Sequence, residues 1–161
     1  MYKRQELRAA RLGVDGSFLQ DWRYRLEADF ADSDVDVKDA YVQYGGALID
    51  PAYIRIGQFK TPNSLEELTS ARFITFMERA AITDAFALDR QIGLGGGATG
   101  ENWGVEAGLF GQNASDVDDN EGYALAGRGH YAFLNPEEPG EERSRVIHLG
   151  ASLRYRNFDN D

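Results

Sequence analysis

Polar and apolar residues alternate with a period of two over eight separate stretches of the chain. That pattern belongs to strands with one apolar and one polar face. Arg8–Phe18 sets Leu12, Val14 and Phe18 against Arg11, Asp15 and Ser17, and Trp22–Phe30 sets Trp22, Tyr24, Leu26, Ala28 and Phe30 against Arg23, Arg25, Glu27 and Asp29. In Lys38–Gly45, Ala40, Val42 and Tyr44 oppose Asp39, Tyr41 and Gln43. Tyr53–Phe59 sets Ile54 and Ile56 against Arg55 and Gly57, then slips at Gln58 and Lys60, which predicts a bulge or the strand's end. Gln91–Thr99 sets Ile92, Leu94 and Ala98 against Gln91, Gly93, Gly95 and Gly97, and Trp103–Gln112 sets Trp103, Val105, Ala107 and Leu109 against Glu106, Phe110 and Gln112. Tyr123–Phe133 places Tyr123, Leu125, Tyr131 and Phe133 opposite Arg128 and His130. Arg145–Asn157 places Ile147, Leu149, Leu153 and Tyr155 opposite His148, Ser152, Arg154 and Arg156.

Eight strands without a linker, a fixed repeat or a low-complexity tract predict an all-β antiparallel fold in one domain, residues 1–161. The connections alternate in length. Short turns join strands one and two, three and four, and five and six (around Leu19–Asp21, Ala47–Pro51 and Gly100–Asn102), while longer connections follow strands two, four and six. The connection Asn135–Ser144 is a little long for that scheme. The longest, Lys60–Asp89, carries Ser64-Leu65-Glu66-Glu67, a capping-box sequence that predicts a helix from Leu65. Continued as a helix, it puts Phe73, Ile74, Met77 and Ala80 on one side and Arg72, Thr75, Glu78 and Arg79 on the other.

Aromatic residues sit near the ends of several apolar faces: Trp22, Phe30, Tyr44, Trp103, Tyr123, Tyr131, Phe133 and Tyr155. Rings at such positions form girdles at the two interfaces of a membrane barrel. Alternation alone equally suits a soluble β-barrel whose apolar face is an interior core, and both readings stay open at this point. Short turns at one end and long loops at the other are the habit of outer-membrane barrels.

Composition narrows the classes. A net charge of −10 and a pI near 4.7 disfavour nucleic acid as a partner. Without cysteine, disulfides and thiolate metal sites are ruled out. No run approaches ~18 apolar residues, so no membrane-spanning helix is expected, and the N-terminal MYKRQELRAARLGV lacks the apolar core of a signal peptide. The acidity clusters in three connections, at Asp32, Asp34 and Asp36, at Asp116, Asp118, Asp119 and Glu121, and at Glu137, Glu138, Glu141 and Glu142, read as solvated loops.

The polar strand face is different. It carries Arg11, Arg23, Arg25, Arg55, Arg128, Arg154 and Arg156 with His130 and His148, against Asp15, Glu27, Asp29, Asp39 and Glu106. Lining water, that face would be net cationic, and the guanidinium fork holds phosphate or carboxylate in a bidentate grip. Pairing of arginines with carboxylates across strands would instead cancel the field. No nucleophile elbow, metalloprotease helix, P-loop or dinucleotide fingerprint occurs, so no enzyme, cofactor or resident metal is expected. His130 and His148 fall at equivalent depths on neighbouring strands. Lacking a carboxylate or cysteine at ligand spacing, they read as residues lining the face rather than as a metal pair.

GQFKTPNSLEELTSARFITFMERA, together with RLGVDG, VKDAYVQY, YIRIGQFK, RQIGLGGGATGENWGVEAGLFG and YALAGRGHYA in the same order, resembles the phosphate-selective porin O and P family of Gram-negative outer membranes. The resemblance covers nearly the whole chain, and LEELTSARFITFMER is its most specific part. It implies an antiparallel transmembrane β-barrel in outer-membrane lipid, with these eight strands as half of a sixteen-stranded barrel that forms a homotrimer. It implies a passive channel for phosphate or similar small anions. Lys60–Asp89 would fold inward as a partly helical constriction loop, with the inward glycines of Gln91–Thr99 leaving room for it. Lys60, Arg72, Arg79, Arg55, Arg23, Arg25, Arg128 and Arg154 would line the anion path, and Phe73, Ile74 and Met77 would pack the loop on the wall. The alternative is a soluble or surface β-barrel binding module, in which Leu26, Ile54, Leu109 and Leu153 would crowd into one interior.

Overall fold

In the computed structural model of this chain the described residues are 9–31, 35–46, 49–70, 73–74, 76, 78–114, 122–134 and 146–157. Eight strands form one antiparallel sheet in chain order: β1 (Arg11–Phe18), β2 (Trp22–Asp29), β3 (Asp36–Tyr44), β4 (Ala52–Lys60), β5 (Arg90–Thr99), β6 (Trp103–Phe110), β7 (Ala124–Leu134) and β8 (Val146–Arg156). Two short helices, α1 (Leu65–Leu68) and α2 (Ala81–Phe86), lie in the connection between β4 and β5. The strand limits match the alternating stretches to within a few residues. Among the described residues no helix is long and apolar enough to cross a membrane.

Register keeps the two faces separate across the whole sheet. Val14 pairs with Leu26 and Leu26 with Ala40; further on, Val42 pairs with Ile56, Ile56 with Leu94, Leu94 with Leu109, Leu109 with Leu125 and Leu125 with Tyr155. Because side chains alternate strictly along a strand, this in-phase pairing yields one continuous apolar belt. The belt is not a core. Leu26, Ile54, Leu109 and Leu153 are 57%, 52%, 50% and 81% exposed, the opposite of what a soluble barrel would do with them. An apolar surface of this extent needs an apolar neighbour. Its margins are aromatic. Phe18 stacks on Trp22 (5.9 Å between ring centroids), Trp22 meets Tyr44 at 5.1 Å, and Tyr131 meets Phe133 at 4.7 Å toward the short turns. Tyr123 and Tyr155 meet at 6.4 Å toward the long connections.

The densest packing lies on the polar face. Phe59, Phe110, Ala124 and Ala126 are buried there, with Tyr41 and Leu88 against them. Phe59 and Phe110 meet edge to face at 5.3 Å, a favourable arrangement of their quadrupoles. These rings occupy the room that the glycines provide. A Cβ on Gly93 would stand 2.6 Å from Phe110 Cδ1, and one on Gly95 would stand 3.0 Å from Phe59 Cζ. The expectation that the β5 glycines make space for the loop is corrected accordingly: they seat rings of β4 and β6, and the loop touches that layer through Leu88.

Two local expectations also change. The alternation slip at Gln58 neither ends β4 nor shifts its register. Gly57 takes φ +127°, a Cβ there would stand 2.2 Å from Ala40 O, and the strand continues to Lys60. Gln58 is buried because its amide is fully used: Nε2 donates to the carbonyls of Val37 and Lys38, and Oε1 accepts from Ala114 N–H at 2.7 Å. The register irregularity falls instead on β2 against β3, between Leu26 and Ala28. The acidic runs around Asp32 and Asp34, Asp116 to Glu121 and Glu137 to Glu142 lie outside the described residues, whereas Asp36 opens β3 and pairs with Lys38.

Candidate functional site

The connection from Thr61 to Asp89 lies over the polar face. Its base is closed by Thr61 N–H donating to Asp89 O at 3.0 Å and by Lys60 Nζ donating to Glu67 O at 2.7 Å. Ser64 caps α1 by accepting from Glu67 N–H at 3.0 Å, as the capping-box sequence predicts. The Glu67 carboxylate does not turn back to Ser64 N–H. It is buried and accepts from Asp89 N–H at 2.9 Å through Oε1, with the Asn63 amide beside it. Burial outweighs the hydrogen bonds and the nearby Lys60 ammonium and pushes this carboxyl above the usual glutamate value. Glu66 ties the second half of the loop, accepting from Ala80 N–H at 2.8 Å and Thr83 Oγ1 at 3.0 Å. At its far side the loop reaches β8, where Arg154 Nη1 donates to Phe86 O.

The expected long helix does not form. Thr69 Oγ1 donates to Leu65 O at 2.7 Å, and Thr69 O, the carbonyl that a continuing helix would offer to Phe73 N–H, accepts from Arg79 Nη2 at 2.9 Å. Phe73 N–H turns to Ser70 O instead. Among the described residues between Leu68 and Ala81 none is helical, so the two-sided wheel has no support there. Phe73, expected to pack the loop on the wall, is 81% exposed on these eight strands, and Leu88 packs against the Phe59–Phe110 cluster. Ile74 is half-buried beside an open cavity of roughly 590 Å³ that Phe73, Phe76 and Arg79 also line. Arg72 and Met77 lie outside the described residues.

Charge on the polar face divides into two regions. Across β1 to β3 two arginines are matched: Arg11 contacts Asp29 at 2.9 Å, and Arg25 contacts Glu27 and, at 3.3 Å, Asp39. Arg90, buried at the start of β5, extends the chain by contacting Asp39 at 2.9 Å. Such pairing cancels the local field, as the cross-strand reading of the sequence allows. From β4 onward the pattern changes. Among the described residues neither Arg55, Arg128 nor Arg154 forms an ion pair, nor does Arg23 on β2. Arg55 lies 4.4 Å above the Tyr41 ring and 5.1–5.2 Å from Phe59 and Tyr53, with Nε and Nη2 donating to Gln43 Oε1. Glu106, in register with Arg128, accepts from Tyr53 Oη at 3.0 Å.

Lys60, Arg55 and Arg79 thus gather at or under the loop, Arg154 meets it from β8, and Arg23 and Arg25 stand on the far strands. The capping-box sequence marks Glu66 and Glu67 only as helix-start residues and leaves out Asn63, yet these three hold the loop's shape, with Asn63 Nδ2 also donating to Phe86 O at 3.3 Å. Their positions in the capping segment were legible, but not their distant partners.

Residues 2–161 match the family model described as phosphate-selective porin O and P. Similar proteins include an uncharacterised protein of Caulobacter vibrioides, 34% identical over an alignment of 161 positions that covers 94% of this chain and 31% of that protein. They also include a protein named Porin O from Pseudomonas aeruginosa, 25% identical over 159 residues, 94% of this chain and 35% of that protein. The chain therefore spans about a third of the length of the curated relatives it matches. No solved structure matches it significantly.

Proposed function

We propose a function from one premise: the chain belongs to the phosphate-selective porin O and P family. It forms part of an outer-membrane β-barrel channel for small anions, phosphate or similar oxyanions, with the exposed aliphatic belt against lipid and the arginine-bearing face toward water. The observation that carries this reading is the partition of the sheet. Leu26, Ile54, Leu109 and Leu153 are half or more exposed on one face, while on the other, among the described residues, Arg23, Arg55, Arg128 and Arg154 form no ion pair. Water-facing guanidinium groups spaced along several strands offer a passing anion a series of weak sites.

The Thr61–Asp89 loop, reaching from β4 to Arg154 on β8, is the constriction. Lys60, Arg55, Arg128 and Arg154 are the cations an anion meets beside it, with Arg23, Arg25, Arg72 and Arg79 contributing to the field. Phe73 and Ile74, free of these eight strands, pack against the remaining wall, and Met77 joins them. The full protein closes a sixteen-stranded barrel and assembles as a trimer. Closing eight strands on themselves would leave a lumen filled by side chains.

The test uses the full-length protein in planar bilayers under a KCl gradient. The expected reversal potential reports anion preference, which falls when Arg55, Arg128 and Arg154 are together replaced by alanine. A reversal potential unmoved by the triple substitution would count against the arginine path. Absence of a heat-modifiable band from outer-membrane fractions would count against the barrel itself.

A further inference from the structure

We propose that His130 and His148 form a two-imidazole site for a divalent first-row transition ion, Cu²⁺, Ni²⁺ or Zn²⁺, on the polar face of β7 and β8. Their ring centroids are 5.3 Å apart, with an angle of 30° between the planes. With a metal–nitrogen bond of about 2.0–2.1 Å, each ring centroid lies roughly 3.2 Å from the ion, so two imidazoles at a tetrahedral angle have centroids roughly 5.2 Å apart. The rings already stand at the spacing that shared coordination requires.

The sheet explains why they can. His130 pairs with Gly104 on β6 and with Gly150 on β8, and His148 pairs with Ala132. A Cβ on Gly104 would stand 2.4 Å from His130 Cε1, so the ring lies in space that a side chain there would fill. A Cβ on Gly150 would stand 3.7 Å from both His130 Cβ and His148 Cε1. Small residues thus flank both histidines on their register partners, and the two rings have no bulky neighbour between them. Both sit on strands, the rigid kind of element that holds ligands at fixed separation.

Among the described residues no group of three or more potential ligand side chains gathers anywhere. The site is therefore open. Two imidazoles supply nitrogen, and water or a small anion completes the coordination, as in sites that exchange their remaining ligands. Charge sets the strength. Arg128, two residues along β7 on the same face, repels a divalent cation, and Glu106, in register with Arg128, offsets it in part. That balance favours borderline, imidazole-loving ions at micromolar affinity and gives no purchase to Mg²⁺ or Ca²⁺, which take oxygen ligands. A metal held at the level of the Trp103–Tyr131 pair, on the opposite face of the sheet near its short-turn end, would offer an oxyanion an inner-sphere partner.

The binding rests on register and ring position and not on the channel reading, so the test is made on binding. Tag-free full-length protein in detergent is titrated with Cu²⁺ by calorimetry, and the bound copper is examined by electron paramagnetic resonance. The expected result is one copper equivalent with a dissociation constant on the order of 10 µM and two-nitrogen superhyperfine structure. That equivalent weakens at least tenfold in His130→Phe and also in His148→Phe, variants that keep a ring without the ligand nitrogen, while Mg²⁺ and Ca²⁺ give no heat. Alanine variants repeat the comparison if a phenylalanine variant does not give the heat-modifiable folded form. Unchanged copper stoichiometry and affinity in both variants, or loss in only one of them, overturns the proposal.

Discussion

Arg154 on β8 donates from its guanidinium to the backbone carbonyl of Phe86, the last residue of α2, across 68 positions of sequence. The same carbonyl accepts from Asn63 Nδ2 at the loop's beginning. One backbone oxygen therefore joins the start of the loop, its second helix and a strand four places along the sheet. A charge-assisted bond at an exposed position contributes about 1 kcal/mol. Arg154→Ala should therefore raise amide hydrogen exchange across Ala81–Leu88 roughly fivefold, leaving the strands unaffected. Because exchange is blind to channel charge, it separates loop anchoring from any loss of anion preference in the same variant. Exchange unchanged within twofold would mean the loop is held elsewhere.

Glu67 makes the loop's base sensitive to pH. Its carboxyl, buried between α1 and Asp89, titrates above the ordinary glutamate value because burial penalises the charged form. The closed loop then binds a proton that the opened loop has already released over the window just above about pH 4.3, so closure is favoured toward acid and weakened as pH rises through the shifted value. Of the groups facing it, the Asp89 side chain pushes the same way as burial, while Asn63, Asp89 N–H and the Lys60 ammonium pull against it without reversing the shift. Tryptic cleavage after Arg79 should slow as pH is lowered toward the acid limit of the protease in the wild type. Glu67→Gln, which keeps the acceptor for Asp89 N–H and cannot ionise, should flatten that dependence. An equal slope in both would remove Glu67 from the account.

Much of this arrangement could be read before any coordinates. Strand limits were legible because a sheet with one apolar and one polar face imposes period two on every strand, and eight repetitions leave little room for error. The ends of the loop, Lys60 and Asp89, were legible for the same reason: they are where the alternation stops and resumes. The interior of the loop was not. Ser64 announced a helix start, and it starts there, but its length was decided by Arg79 capturing Thr69 O from ten residues away. The glycines of β5 show the same limit. Their smallness was visible, yet the rings of Phe59 and Phe110 that fill the space come from β4 and β6. Cross-strand charge matching was likewise open in the sequence. It turned on which carboxylate falls beside which guanidinium: Arg11, Arg25 and Arg90 find one, and among the described residues Arg23, Arg55, Arg128 and Arg154 form no ion pair.

Arg55 separates charge from shape in the proposed anion path. Its guanidinium lies over Tyr41 at 4.4 Å, near the rings of Tyr53 and Phe59, and both Nε and Nη2 are directed at Gln43 Oε1. Stacking of this kind contributes about 0.5–1 kcal/mol and orients the planar fork, and lysine supplies the charge without the plane. Arg55→Lys in the full-length protein should therefore keep chloride reversal potentials close to wild type. Block of the chloride current by added phosphate should weaken about three- to fivefold, because a tetrahedral oxyanion gains from a fixed bidentate donor and chloride does not. Tyr41→Leu, which leaves the arginine and removes its platform, should reproduce the weaker phosphate block. If Arg55→Lys shifts chloride selectivity and phosphate block to the same degree, the residue acts as a point charge alone and the aromatic platform has no part in discrimination.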